Sequence, residues 1–131
     1  MTAPLVRTVE ASAVGAHATT NQVTLIGRVP FACTVTSATY IPSAAVSAPA
    51  SGTGRTYEVV NRTTGAGTVS VASKSVTSNV GMSDNVAFDL TLATAANLVC
   101  ASGDVLELVS TALTSNATDP GGKVIVTFSR T

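Results

Sequence analysis

Tryptophan is absent from this chain, and aromatic residues make up only 4% of it: Phe31, Phe88, Phe128, Tyr40 and Tyr57. Any core must therefore be built mostly from Ala and Val, with few large anchors. Charge is equally scarce. Asp, Glu, Lys and Arg together reach 11% of the 131 residues, about half the usual share. The seven basic residues (Arg7, Arg28, Arg55, Arg62, Lys74, Lys123 and Arg130) are dispersed and matched by seven acids, so the net charge is zero. Binding to a phosphate backbone needs a clustered basic footprint, and its absence argues against direct contact with nucleic acid. No apolar run approaches the ~20 residues that span a bilayer as a helix, which argues against a membrane partner.

Catalytic side chains are just as thin on the ground. The one histidine, His17, sits in "VGAHATT" with no orienting acid nearby in sequence, and reads as a solvated or interface residue. Glu58 and Glu107 fall on strand positions where they could face one another, as paired-acid hydrolysis requires, yet outward strand acids are commonplace. Asp84, Asn85 and Asp89 supply hard oxygens without the spacing of a calcium loop. "TGAG" and "SGTG" are rich in glycine, but neither leads from a strand into a helix as phosphate-binding loops do. Asn61-Arg62-Thr63 and Asn116-Ala117-Thr118 match the glycosylation pattern. The opening Met1-Thr2-Ala3-Pro4-Leu5 lacks the basic region and apolar stretch of a secretion signal, so synthesis in a cytoplasm with reduced cysteines is expected. On that view Cys33 and Cys100 are two buried small hydrophobes, with a disulfide, a reactive thiol or a metal ligand as the alternatives. The expectation is a protein that is not an enzyme, with no catalytic residue, no cofactor and no metal.

What the chain has in quantity is strand material. Ser and Thr make up about a quarter of it, interleaved with Val, Leu and Ile. Leu5–Val9, Gln22–Arg28, Cys33–Tyr40, Arg55–Val60, Thr68–Lys74, Val86–Leu92, Val105–Ser110 and Lys123–Ser129 each read as a strand. The phase of the apolar residues slips between Val35 and Ala38, which predicts a bulge near Ser37. "NRTTGAG" supplies the turn chemistry of a hairpin between Arg55–Val60 and Thr68–Lys74. Val86, Phe88, Leu90 and Leu92 alternate with Ala87, Asp89 and Thr91 as one amphipathic strand. Residues 93–101 have room for one short helical turn, with Thr94 as a cap. "DPGG" is a turn by its residue types. Phe88, Leu90, Leu106, Leu108, Val124, Val126 and Phe128 are the expected core.

Around eight short strands at this spacing predict an all-β fold: a single antiparallel β-sandwich domain, jelly-roll-like, over residues 21–131. Residues 1–20, weaker in periodicity, are expected to form an N-terminal arm that orders by lying against something.

The stretches "VTLIGRVPFACTVTSATYIPSAAV", "TYEVVNRTTGAGTVSVAS", "ASGDVLELVSTAL" and "DPGGKVIVTFSRT" resemble small β-rich structural proteins of tailed bacteriophage virions, above all the capsid decoration, or cement, class. The resemblance runs from about Gln22 to the C-terminus and lies in style and motif order. It implies a sandwich or jelly roll, often a homotrimer, bound outside the shell where capsomers meet. The implied partner is the major capsid protein, and the implied location is the capsid surface of a virion assembled in a host bacterial cytoplasm. It also implies that a terminal arm grips a neighbouring subunit, here through Leu5, Val6 and Val9. The alternative is a carbohydrate-binding β-sandwich module of a phage fibre or tail, for which Tyr40 and Tyr57 are the available aromatic platforms.

Overall fold

Alternation of inward apolar and outward polar side chains divides the described residues into ten strands. The structure, a computed structural model, describes residues 5–13, 15, 20–63, 67–113 and 117–131. The strands are β1 (Val6–Ala13), β2 (Gln22–Arg28), β3 (Cys33–Pro42), β4 (Thr53–Thr63), β5 (Gly67–Thr77), β6 (Phe88–Asp89), β7 (Thr91–Leu92), β8 (Val99–Cys100), β9 (Val105–Ala112) and β10 (Gly122–Arg130). One short 3-10 turn, Ala95–Leu98, precedes β8, and there is no α-helix among the described residues. Among the described residues no helix is long and apolar enough to cross a membrane.

The strands form two antiparallel sheets packed face to face. In the first the order is β1-β10-β3-β6, with β8 also pairing β3; in the second it is β2-β9-β4-β5-β7. The pairing is nested: β1 with β10, β2 with β9, β3 with β6 and β8, β4 with β5. A long hairpin folded over on itself produces this order, which is that of a jelly roll. The β-sandwich expected from strand spacing is therefore the architecture observed.

All seven expected core residues are buried, and they share the interior with Val29, Val35, Val59, Val71, Val76 and both tyrosines. The bulge lies where the phase slip put it. Val35 pairs with Phe128 and Ser37 with Thr127, leaving Thr36 as the extra residue. The β4–β5 hairpin is also present.

Two local expectations differ from the structure. Residues 86–92 do not form one strand: Phe88–Asp89 pairs with β3 in the first sheet, and Thr91–Leu92 pairs with β5 in the second. Between them the amide of Leu90 donates to Ala38 O at 2.9 Å. The segment crosses from one sheet to the other, so its apolar side keeps facing the core while its hydrogen-bond partners change. Thr94 stands at the start of the 3-10 turn, but its side chain makes no capping hydrogen bond. Within the expected arm, Val6–Ala13 is paired along its whole length with β10 of the same chain. An unpaired strand next to β10 would leave that ladder's polar groups without partners, and Val9, Ala11 and Ala13 turn inward onto the core.

Candidate functional site

Strand β4 runs through the middle of the second sheet and turns Arg55, Tyr57, Val59 and Asn61 inward, all of them buried. Its two ends bury polar groups, and the two places differ in chemistry.

At the Arg55 end, Tyr40 of β3 and Tyr57 of β4 stack across the sandwich with ring centroids 4.4 Å apart. Both hydroxyls donate to the same atom, Asp119 Oδ1, at 3.0 and 3.1 Å, and the amide of Gly121 donates to it at 3.0 Å. Asp119 is itself buried. Arg55 is fully buried and donates from Nε to Ala117 O at 2.8 Å and from Nη1 to Ser110 Oγ at 2.9 Å. Its guanidinium also reaches Thr20 O. Burial, reinforced by the adjacent Asp119 carboxylate, pushes both tyrosine hydroxyls far above their ordinary range. The network ties both sheets to the 117–121 loop. Gly121 of "DPGG" takes a positive φ of 78° there, and a Cβ at that position would strike the backbone of Ala13 and Gly15.

At the other end, Asn61 Nδ2 donates to Asp104 Oδ2 at 2.8 Å and to Cys100 Sγ at 3.6 Å. The amide of Ala101 donates to the same Asp104 oxygen at 2.9 Å. A carboxylate only accepts, so Asp104 sets the orientation of the Asn61 amide and turns Oδ1 away from itself. That oxygen has no hydrogen-bond partner, although Asn61 is only 2% exposed. The loop carrying Asp104 is stitched to the β2–β3 connection: Val29 N to Asp104 O at 2.8 Å, and Gly103 N to Val29 O at 2.7 Å. Outside this cluster lies a cleft of about 610 Å³ lined by Arg28, Asn61, Asn97, Val99, Ser102 and Asp104, among others. Arg28 closes one side, its Nε 3.4 Å from Gly103 O.

Cys33 and Cys100 border this cluster. They face one another as register partners on β3 and β8, buried and reduced. Burial raises the Cys33 thiol above its ordinary value and pushes Cys100 up to about 12. Both are protonated at neutral pH and are poor nucleophiles in the folded state. Of the four readings open at the outset, two buried small side chains is the one observed.

The other sequence-derived candidates do not converge. Glu58 accepts from Ser70 Oγ at 2.8 Å, and Glu107 is ion-paired with Arg62, so each acid has its own partner. Asp84 accepts from its neighbour Asn85, and Asp89 accepts from Thr39 Oγ1 at 2.9 Å on β3. Among the described residues no three His, Cys, Asp or Glu side chains come together as a metal site would require. His17 and Asn116 lie outside the described residues. The Asn61 amide is buried and engaged, which removes it as a glycan acceptor. Tyr40 and Tyr57 have no exposed face, which corrects the expectation that they could serve as aromatic platforms. Of the three expected interface residues, Leu5 is half-buried, Val6 points outward, and Val9 turns into this chain's own core.

Arg55, Asp104 and Asp119 were not singled out by sequence reasoning, and Asn61 was noticed only as part of a glycosylation pattern. The usable signal was phase: Arg55 and Asn61 share the inward register of Tyr57 and Val59. Comparison with protein-family models, with curated proteins and with solved structures gives no match for this chain.

Proposed function

We propose that this protein is a structural component of a tailed-phage virion that binds the outside of the capsid as a homotrimer and reinforces contacts between capsomers. The observation that carries this reading is a set of exposed apolar side chains on two neighbouring edge strands. These strands, β1 and β2, lie side by side, closing the first and second sheets respectively. Val6 on β1 and Val23 and Leu25 on β2 are 53%, 55% and 62% exposed, in a chain that has few large apolar side chains to leave in water. Edge strands with outward apolar residues are surfaces for pairing with another chain. Glu107, the register partner of Leu25, and its ion-pair partner Arg62 supply a polar border. Low charge keeps self-repulsion small when many copies crowd one shell. The jelly-roll order adds support, because viral capsid domains use it repeatedly, although one fold serves many functions.

The test is co-sedimentation with shells assembled from the major capsid protein encoded in the same genome. The wild-type chain should pellet with the shells, and Val23→Lys with Leu25→Lys should reduce binding at least tenfold while leaving thermal stability nearly unchanged. A wild-type chain that stays in the supernatant at micromolar concentration would sink the reading.

The cleft favours a second reading, a saccharide-binding module, because carboxylate, amide, hydroxyl and guanidinium groups line it. Sugar hydroxyls find partners in such a set, but with both tyrosines buried no tyrosine ring is available to stack on them. A glycan array separates the two.

A further inference from the structure

We propose that Cys33 and Cys100 are an oxidative modification site, closing into a cross-strand disulfide when a low-molecular-weight disulfide reaches them. Three features of the fold point to it. The two residues are register partners on adjacent antiparallel strands, β3 and β8, so their side chains leave the same face of the sheet together. Both thiols are free, and both side chains are fully buried in the core between the sheets. No third cysteine exists to compete for either of them.

The chemistry balances with the named oxidant. One thiol loses its proton and attacks a sulfur of the small disulfide; the S–S bond breaks and one small thiolate leaves, taking up that proton. The second cysteine, once deprotonated, attacks the protein sulfur of the mixed disulfide. That bond breaks and the second small thiolate leaves with the second proton. Two electrons pass from the cysteine pair to the oxidant, and two small thiols are released.

Access is the slow step, because both cysteines are buried and both thiols are held protonated. The route in is the opening of β8, a two-residue strand held to β3 through only two residue pairs. Its flanks, the 3-10 turn and the Ala101–Asp104 loop, line the cleft described above. Reduced, that side of the molecule can open; oxidised, β8 is fastened to β3, and Asn61 and Asp104 are held beside it. A chain made in a reducing cytoplasm and later released would pass from the first state to the second. The chemistry does not depend on capsid binding, so either proposal can fail without the other.

The experiment uses the full-length reduced protein incubated with oxidised glutathione at pH 8.5, alone and with sub-denaturing urea to speed the opening of β8. The expected result is an intact mass lower by two hydrogens, no thiol left for alkylation after denaturation, and a peptide map joining the segments that carry Cys33 and Cys100. The thermal midpoint should rise by roughly 5–15 °C and return on reduction. In Cys33→Ala or Cys100→Ala the midpoint should not respond to the oxidant. Two alkylatable thiols remaining in both incubations, a stable glutathione adduct on one cysteine, or disulfide-linked dimers as the main product would overturn the proposal.

Discussion

The two ends of β4 bury polar side chains on the same strand and the same inward face, yet only one end is saturated. Around Asp119 a single carboxylate oxygen receives three donors from three parts of the chain, and Arg55 is bonded to two backbone carbonyls and a hydroxyl. Around Asp104 the network stops short: Asn61 spends its amide hydrogens and is left with an unpaired acceptor. A fully connected buried network fastens its surroundings, because removing one member strands all the others. An incomplete one contributes less and gives way more easily. The first end locks the 117–121 loop across both sheets. The second borders a cleft, a two-residue strand and a pair of reduced thiols.

The largest effect expected from this contrast is Asp119→Ala. It leaves the Tyr40 and Tyr57 hydroxyls and the Gly121 amide buried without an acceptor, and should cost about 3–5 kcal/mol. The urea midpoint measures it, with an unchanged slope showing that the unfolding transition is still the same one. Phe128→Ala, in the apolar middle of the sandwich, serves as a gauge. Phe128 is fully buried and meets Phe31 edge-to-face at 5.8 Å, so its removal should also cost about 3–5 kcal/mol. If Asp119→Ala proves far milder than this gauge, the Arg55 end is not the fastener described here.

Alkaline pH separates the two ends by their titrating groups. Unfolded thiols titrate near 9.0, whereas burial holds Cys33 above that value and Cys100 at about 12. Between about pH 9 and 12 the folded chain therefore binds more protons than the unfolded one. The thiol contribution is complete below pH 9 and is lost as pH rises under reducing conditions. The buried tyrosines add a loss of the same sign above pH 10, where unfolded tyrosines ionise. Stability curves of the double Cys33→Ala, Cys100→Ala variant should keep the tyrosine part and lose the part that begins near pH 9. A curve unchanged by the double substitution would place the whole alkaline loss at the Asp119 end.

The smallest effect belongs to Asn61→Ala. It removes the hydrogen bonds to Asp104 and to Cys100 Sγ but also removes the unpaired acceptor, and the contributions partly offset each other. A loss of about 1 kcal/mol or less is expected from urea unfolding. A loss matching that of Asp119→Ala would erase the distinction between the two ends.

Much of the sandwich was legible in the residue pattern. Alternation located every long strand of the interior, the slip between Val35 and Ala38 marked the bulge, and Phe88, Leu90, Leu106, Leu108, Val124, Val126 and Phe128 were all placed inside. Period-two burial is a local property, so a short window of sequence carries it. The candidate site was barely legible. A charged or amide residue at an inward position looks like any outward one until its partner is known, and the partners lie far along the chain: Arg55 with Ala117, Asn61 with Asp104, Tyr40 with Asp119.

By itself, then, the sequence determined that this chain makes short antiparallel strands, which of their side chains turn inward, and that charge is scarce and balanced in sign. The tertiary structure alone decided which strands are neighbours. It placed Val6–Ala13 against β10, sent residues 88–92 from one sheet to the other, brought Cys33 opposite Cys100, and closed three donors on Asp119. Strand neighbours are chosen by ladders whose two sides lie tens of residues apart, and their closure depends on the whole core packing at once. No local window holds that information.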